Sequence, residues 1–349
     1  MIAMVSHIRI TGPAKYQLRS AAELSQSALE VTARRLRKGP LRPRWNWFME
    51  VVTRTLQRQV HTAMQMRDIG EARAYLDSIV ITSSALAEVD IRPAALEKFS
   101  GSWYCPRRAD TSVNILYFHG GGYSFYPQAY AGVIAQFAVA ANCRAFALDY
   151  RLTPEHRFPA QLEDALSAYS WLLGEGIEPA NLVVAGDSAG GHLALALVLK
   201  LRDLRLPQPA LVIALSPPTN FEIGALEKNE FDWINEPALL QWRDWFCGPS
   251  QRCDPLVSPI RADLRDLPPI YIQAGRAEIL YGSIRAFADR ARSQGADVTL
   301  ESWDDMNHNF PVFGPDVPQS IEALRRIGEV IEAQVRAGKK EPIALTEPR

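Results

Sequence analysis

From residue 113 onward, short apolar runs and longer segments of helix-forming composition take turns along the chain. Val113-Asn114-Ile115-Leu116-Tyr117-Phe118 reads as a buried strand, 129–141 as a helix, 144–148 as a strand and 161–173 as a helix. Residues 182–185 and 211–215 are the next strands, with the run Leu193-Ala194-Leu195-Ala196-Leu197-Val198-Leu199 as a helix between them. After a break the alternation resumes as strand 270–273, helix 283–293, strand 298–300 and helix 321–335. Continuous apolar strands are those buried on both faces, and strands joined by helices imply right-handed crossovers. The pattern predicts an α/β fold with a mostly parallel sheet covered by helices on both sides.

Other stretches stand outside this rhythm. Residues 95–99 and 102–105 read as the two strands of a hairpin. Between 45 and 75, Phe48, Val51, Val52, Leu56, Val60, Ala63 and Met64 recur at helical spacing, which predicts one or two amphipathic helices placed to join a cap. Residues 1–45 carry nine Lys or Arg against Glu23 and Glu30. They read as a solvated arm, or as one that packs near a site entrance or touches a surface. The break after Ser216-Pro217-Pro218 holds Phe231, Trp233, Trp242, Trp245 and Phe246. An aromatic insert after a central strand is expected to lie over the ligand-binding end as a lid; a peripheral helix pair is the plainer alternative. The tail 339–349 looks disordered.

Composition narrows the function classes. With 47% hydrophobic and 22% charged residues in 349, the chain is an ordinary globular one, long enough for one large core with an accessory piece. A formal net charge of -1 gives no global attraction to nucleic acid or an anionic membrane. No apolar run has the length of a membrane-spanning helix. The first residues lack a secretory pattern, so a cytoplasmic location is expected. Cys105, Cys143, Cys247 and Cys253 are unevenly spread and lack zinc-finger spacing, so neither a disulfide framework nor a metal site is expected.

The candidate chemistry begins at Gly186-Asp187-Ser188-Ala189-Gly190, which has a strand before it and a helix after it. In that context G-x-S-x-G is a nucleophile elbow: a tight turn lifts the serine hydroxyl from the end of the sheet. Three fixed positions recur by chance in about a tenth of chains this long, so a plain glycine-rich turn stays open on this stretch alone. Upstream, His119-Gly120-Gly121-Gly122 follows a strand directly. Its unobstructed N–H groups suit the oxyanion of acyl transfer. The run fails the dinucleotide pattern, which would need Gly at Phe125, and it lacks the Gly-Lys-Ser/Thr of a phosphate loop. Of six histidines, His308 sits just after the last strand, at the end of the sheet expected to carry Ser188. The acid is expected after the strand 270–273, at Glu278. The chain order Ser188, Glu278, His308 is that of α/β-hydrolases.

These motifs make the chain resemble the hormone-sensitive-lipase-like bacterial carboxylesterases. The resemblance also rests on Asp149-Tyr150-Arg151-Leu152-Thr153-Pro154-Glu155, Pro159-Ala160, Ser258-Pro259 and Leu267-Pro268-Pro269, and it covers roughly 99–335. It implies an eight-stranded hydrolase core (91–216 and 256–338) and a helical cap from residues 1–90 and the insert 217–255. It also implies hydrolysis of short-acyl esters without a cofactor. Ser188, Glu278 and His308 would form the triad, and Gly120, Gly121 and Ala189 the oxyanion hole. Asp149 and Arg151 read as an ion pair bracing the glycine loop. The chain departs from the family pattern at Glu278, where Asp is commoner, at Asn309, where Gly is usual, and at Asn220, where Asp is usual. The expected partner is a small-molecule ester, with a homodimer left open and no nucleic acid or integral membrane segment. Amidase or lactonase activity stays open beside esterase activity, because leaving-group chemistry does not alter the triad. A non-catalytic receptor on the same fold is the alternative from another class, disfavoured because serine, acid and histidine are all present.

Overall fold

The computed structural model describes residues 8–222 and 230–336. The tail expected to be disordered lies outside them, as does part of the insert. The N-terminal part comprises β1 (Ile8–Ile10), α1 (Ala14–Lys38), α2 (Trp47–Gln65), α3 (Ile69–Leu76) and β2 (Ile79–Ile81). The core then runs β3 (Val89–Ala95), β4 (Ser100–Pro106), β5 (Asp110–Phe118), α4 (Tyr130–Ala141), β6 (Cys143–Asp149), α5 (Ala160–Gly174), β7 (Leu182–Asp187), α6 (Ala189–Asp203) and β8 (Leu211–Leu215). The insert contributes α7 (Glu236–Phe246), and the core ends with β9 (Ile270–Gly275), α8 (Tyr281–Ser293), β10 (Val298–Trp303) and α9 (Pro318–Ile331).

Eight strands form one sheet in the order β10-β9-β8-β7-β5-β6-β4-β3. The pairs from β10 to β6 are parallel, and β4 joins β6 and β3 antiparallel. Alternation along each strand divides the core in two. Ile115 and Tyr117 face one side with α4 and α9, whereas Leu116 and Phe118 face the other with α5, α6 and α8. The central strand β7 is buried at every position, as a parallel strand covered on both faces must be. Because β5, β7, β9 and β10 are parallel, their C-terminal ends share one edge, and the loops leaving that edge carry Gly120, Ser188, Glu278 and His308.

Two expectations about the chain's early part are corrected. The basic N-terminal stretch is a 25-residue helix packed along α2, with Tyr16 against Tyr75 and Ser20 bonded to Ser78, and its Leu24 lines the cavity that opens on Ser188, as the reading of an arm near a site entrance expects. Arg34 and Arg35 both pair with the buried Glu50 of α2, and Glu30 receives Arg54 and Arg58. Of the basic residues that suggest a solvated arm in one dimension, Arg34 and Arg35 are thus paired on α2, Lys15 on Glu71 and Arg42 on Asp305. The hairpin strands are Val89–Ala95 and Ser100–Pro106, and 96–99 is its turn, closed by Leu96 N donating to Phe99 O at 2.9 Å. The first strand lies at the sheet's edge with five of seven residues exposed, so it lacks the apolar run that marks an inner strand, and it tolerates Pro93.

Candidate active site

Ser188 stands between β7 and α6 with φ 51° and ψ −119°, a conformation that non-glycine residues rarely adopt. The turn needs glycine on either side because of close approach: a Cβ on Gly186 or Gly190 would collide with the Phe118 carbonyl. Ser188 occupies the N-cap position of α6, yet its side chain makes no cap hydrogen bond. The hydroxyl turns instead to His308, with Oγ 2.9 Å from Nε2. On the other side of the ring, Nδ1 lies 3.2 Å from Glu278 Oε2, and both side chains are buried. This contact has the distance of an ion pair and lies off the line of a well-aligned hydrogen bond. The structure thus brings the three sequence-predicted residues together, in an order that lets the ring hold its proton toward Glu278 and accept one from Ser188.

The other acids near His308 in sequence are turned away. Asp305 pairs with Arg42 at 3.2 Å, and Asp304 pairs with Arg276 at 3.2 Å. Asp297 is exposed just before β10, at the far end of that strand.

The glycine loop departs from expectation at one donor. The Gly120 N–H donates to Asp187 Oδ1 at 3.0 Å, so it is occupied and is not an oxyanion donor. Gly121 and Ala189 keep their N–H groups free of backbone partners, and so does Gly122. All three glycine-loop and elbow positions line the space around Ser188. His119 braces the loop from beneath: its ring is stacked between Tyr126 and Tyr150 at 3.7 and 4.1 Å, and Nδ1 donates to Gly120 O at 2.6 Å. Burial depresses the His119 pKa to about 3, so the ring is neutral and structural. His192 is likewise buried, with its pKa lowered to about 4, and Nε2 donates to Val257 O at 2.9 Å.

The expected Asp149–Arg151 pair does not form. The Arg151 guanidinium reaches Asp164 on α5 at 2.8 Å and Glu163 at 3.0 Å, while Asp149 accepts from Ser100 Oγ at 3.1 Å. Nearness in sequence misled here, because β6 ends between the two residues and the chain turns toward α5.

Two carboxylates that the sequence reading left without a role hold the site in place. Asp187, fully buried, accepts from Tyr117 and Tyr130 hydroxyls at 2.8 Å each, from Gly120 N, and from Asn309 Nδ2 at 2.6 Å. Asn309 itself has φ 56°, the left-handed conformation that Gly and Asn share, which accounts for Asn where the family pattern has Gly. Asp232 comes from the insert. Its Oδ1 accepts from the His308 N–H at 3.1 Å, and its Oδ2 accepts from the Ile279 N–H at 2.8 Å. One side chain thereby joins the acid loop to the histidine loop. Trp233 next to it donates Nε1 to His308 O at 2.7 Å, and Trp45, just before α2, donates to Asp305 O at 2.6 Å. Asp187 was visible as the second residue of the pentapeptide. Asp232 had no signal beyond its place between two aromatic residues.

The charges that act most strongly on His308, those of Glu278, Asp232 and Asp187, are negative. Burial lowers its pKa, but the close contact and charge of Glu278, with Asp232 and Asp187 behind, outweigh this and leave it above the ordinary 6.5. Burial also pushes the Asp232 carboxyl up to about 6. Among the described residues no group of three or more His, Cys, Asp or Glu is placed to hold a metal ion, and no helix is long and apolar enough to cross a membrane.

Residues 115–312 match a family model described as having the α/β-hydrolase fold. An acetyl-hydrolase of Streptomyces hygroscopicus is 34% identical over 246 residues, which are 69% of this chain and 82% of that protein. The crystal structure of an esterase/lipase from an uncultured bacterium superposes with a TM-score of 0.76 at 28% identity, over 84% of this chain and all of the other. An esterase of the bacterial hormone-sensitive lipase family superposes with a TM-score of 0.68 at 30% identity, over 90% of this chain and 98% of the other.

Proposed function

The chain belongs to the α/β-hydrolase family, among the bacterial hormone-sensitive-lipase-like esterases, and on that premise we propose that this carboxylic ester hydrolase works through Ser188, His308 and Glu278 on short-acyl esters. The observation that carries the reading is the relay of contacts from Ser188 Oγ to His308 Nε2 and from His308 Nδ1 to Glu278. Ser188 attacks the ester carbonyl while Nε2 takes its proton. The ring then gives that proton to the leaving alcohol. Water attacks the acyl-enzyme by the same route in reverse. Glu278 keeps the ring proton on Nδ1 and stabilises the imidazolium that forms. The N–H groups of Gly121, Gly122 and Ala189 stabilise the oxyanion, aided by the positive end of α6. Short acyl groups are favoured because aromatic side chains of the insert wall the space beside Ser188. A panel of p-nitrophenyl esters, amides and lactones tests the assignment. Ester turnover that falls with acyl length is expected; preference for an amide, or for emulsified long-chain triglyceride, would overturn it.

A pH profile tests the base separately. His308 acts only when neutral, so kcat/KM falls as pH drops through its pKa. That pKa is raised, so the midpoint of the acid limb is expected above 6.5. Asp232→Asn removes one of the carboxylates that favour the charged ring, and its acid limb is expected at lower pH than that of the wild type. A rate that stays flat well below pH 6 would argue against a histidine base.

A further inference from the structure

The space above Ser188 is divided into two unequal chambers. One, of about 180 Å³, runs among Leu56, Val60, Ile79, Phe125, Val133 and Phe313. The other, of about 40 Å³, lies among Tyr123, Pro218, Phe221, Leu239 and Leu280. Both open on Ser188 and Gly122, and Ile234 and Trp242 stand in both walls. Trp242, on α7, is the larger of these two shared side chains. It is 8% exposed and packs so tightly on the glycine loop that a Cβ on Gly122 would lie 2.7 Å from its Cδ2.

The position of His308 assigns the chambers. A leaving alcohol must lie on the side of Ser188 from which Nε2 can protonate it. Asn309, Val312 and Phe313, which follow His308, line the large chamber. So does Trp233, whose ring packs 5.5 Å from the imidazole. None of these four lines the small chamber. It is built on Ala189, beside the nucleophile, and on the segment after β8. The sizes then set the chemistry. The small chamber has less than a quarter of the volume of the large one, and the large one exceeds the roughly 150 Å³ that accommodates benzene.

We propose that the two chambers sort the halves of the ester: the small one takes an acyl group of acetyl or propionyl size, the large one takes a bulky apolar alcohol, and Trp242 sets the acyl limit. This rests on the esterase reading and adds the alcohol side to it.

Two substrate series test the sorting. Among p-nitrophenyl esters, kcat/KM is expected to fall at least about tenfold from acetate to hexanoate, because each methylene a pocket excludes costs about that factor or more. Among acetates of primary alcohols with similar pKa, it is expected to rise severalfold from ethyl to cyclohexylmethyl. Trp242→Ala joins the chambers, and the hexanoate-to-acetate ratio is expected to rise at least about tenfold. Trp242→Leu, which keeps more of the packing, should raise the ratio less. Circular dichroism checks that each variant is folded. The wild type turning over hexanoate faster than acetate, or both folded variants keeping the wild-type ratio, would overturn the sorting while leaving the esterase intact. No hydrolysis of any ester, with no labelling of Ser188 by a phosphonate, would overturn both.

Discussion

Ser188→Ala is expected to lower kcat about a millionfold while the melting temperature stays within a few degrees of wild type. The first half of this follows from the covalent route: without Oγ no acyl-enzyme forms, and His308 has no hydroxyl to activate. The Gly121, Gly122 and Ala189 donors remain, so a small residual rate over water is expected. The second half follows from what the hydroxyl does not do. It caps no N–H of α6, and its hydrogen bond goes to His308. Alanine at φ 51° bears about the same backbone cost as serine, so little stability is lost. Steady-state turnover and a thermal melt measure the two halves. An organophosphonate followed by peptide mapping adds a third readout, with label expected on Ser188 of the wild type and nowhere on the variant. Near-normal turnover in a folded variant would sink the assignment.

Glu278→Gln should cost about ten thousandfold in kcat, the scale on which a triad acid acts through its histidine. Gln keeps the shape but removes the charge that favours the ring proton on Nδ1 and stabilises the imidazolium. The acid limb of the pH profile should also move down, because Glu278 is the strongest of the influences that raise the His308 pKa against burial. Glu278→Asp keeps the charge but, being one methylene shorter, lengthens a contact already at 3.2 Å, so partial activity is expected. Asp305→Asn is the control. Its carboxylate pairs with Arg42 in a partly exposed ion pair, the kind worth about 0–1 kcal/mol, and turnover should change little. If Asp305→Asn abolished turnover in a folded protein and Glu278→Gln did not, the acid would be misassigned.

The parts of the molecule that were legible in the sequence are those where local composition and tertiary role agree. Strands β5 to β8 are buried on both faces, so each appears as an apolar run whatever surrounds it. Ser188 follows directly on such a strand, Glu278 and His308 lie within five residues of the ends of β9 and β10, and the parallel sheet carries all three to one edge. What escaped were roles set by partners far away in sequence. Nothing near Arg34 announces that Glu50 will neutralise it. Nothing near Arg151 separates Asp164 from the closer Asp149. Gly120 looked as free as its neighbours until the elbow brought Asp187 beneath it. Asp232 was the least legible, because its three acceptor contacts are to backbone N–H groups, which carry no residue type for a pattern to reveal.

The four donors that converge on Asp187 give the site an asymmetric tolerance to change. Tyr117, Tyr130, Gly120 and Asn309 come from β5, α4, the glycine loop and the histidine loop, and they share one acceptor. Losing any single side-chain donor leaves three others on the carboxylate, so the lineage can drift at Tyr117, Tyr130 or Asn309 one position at a time. Losing the carboxylate releases all four at once in a dry interior. Substitutions at the three donors should therefore be strongly epistatic, mild alone and severe in combination, whereas position 187 has no comparable neutral path.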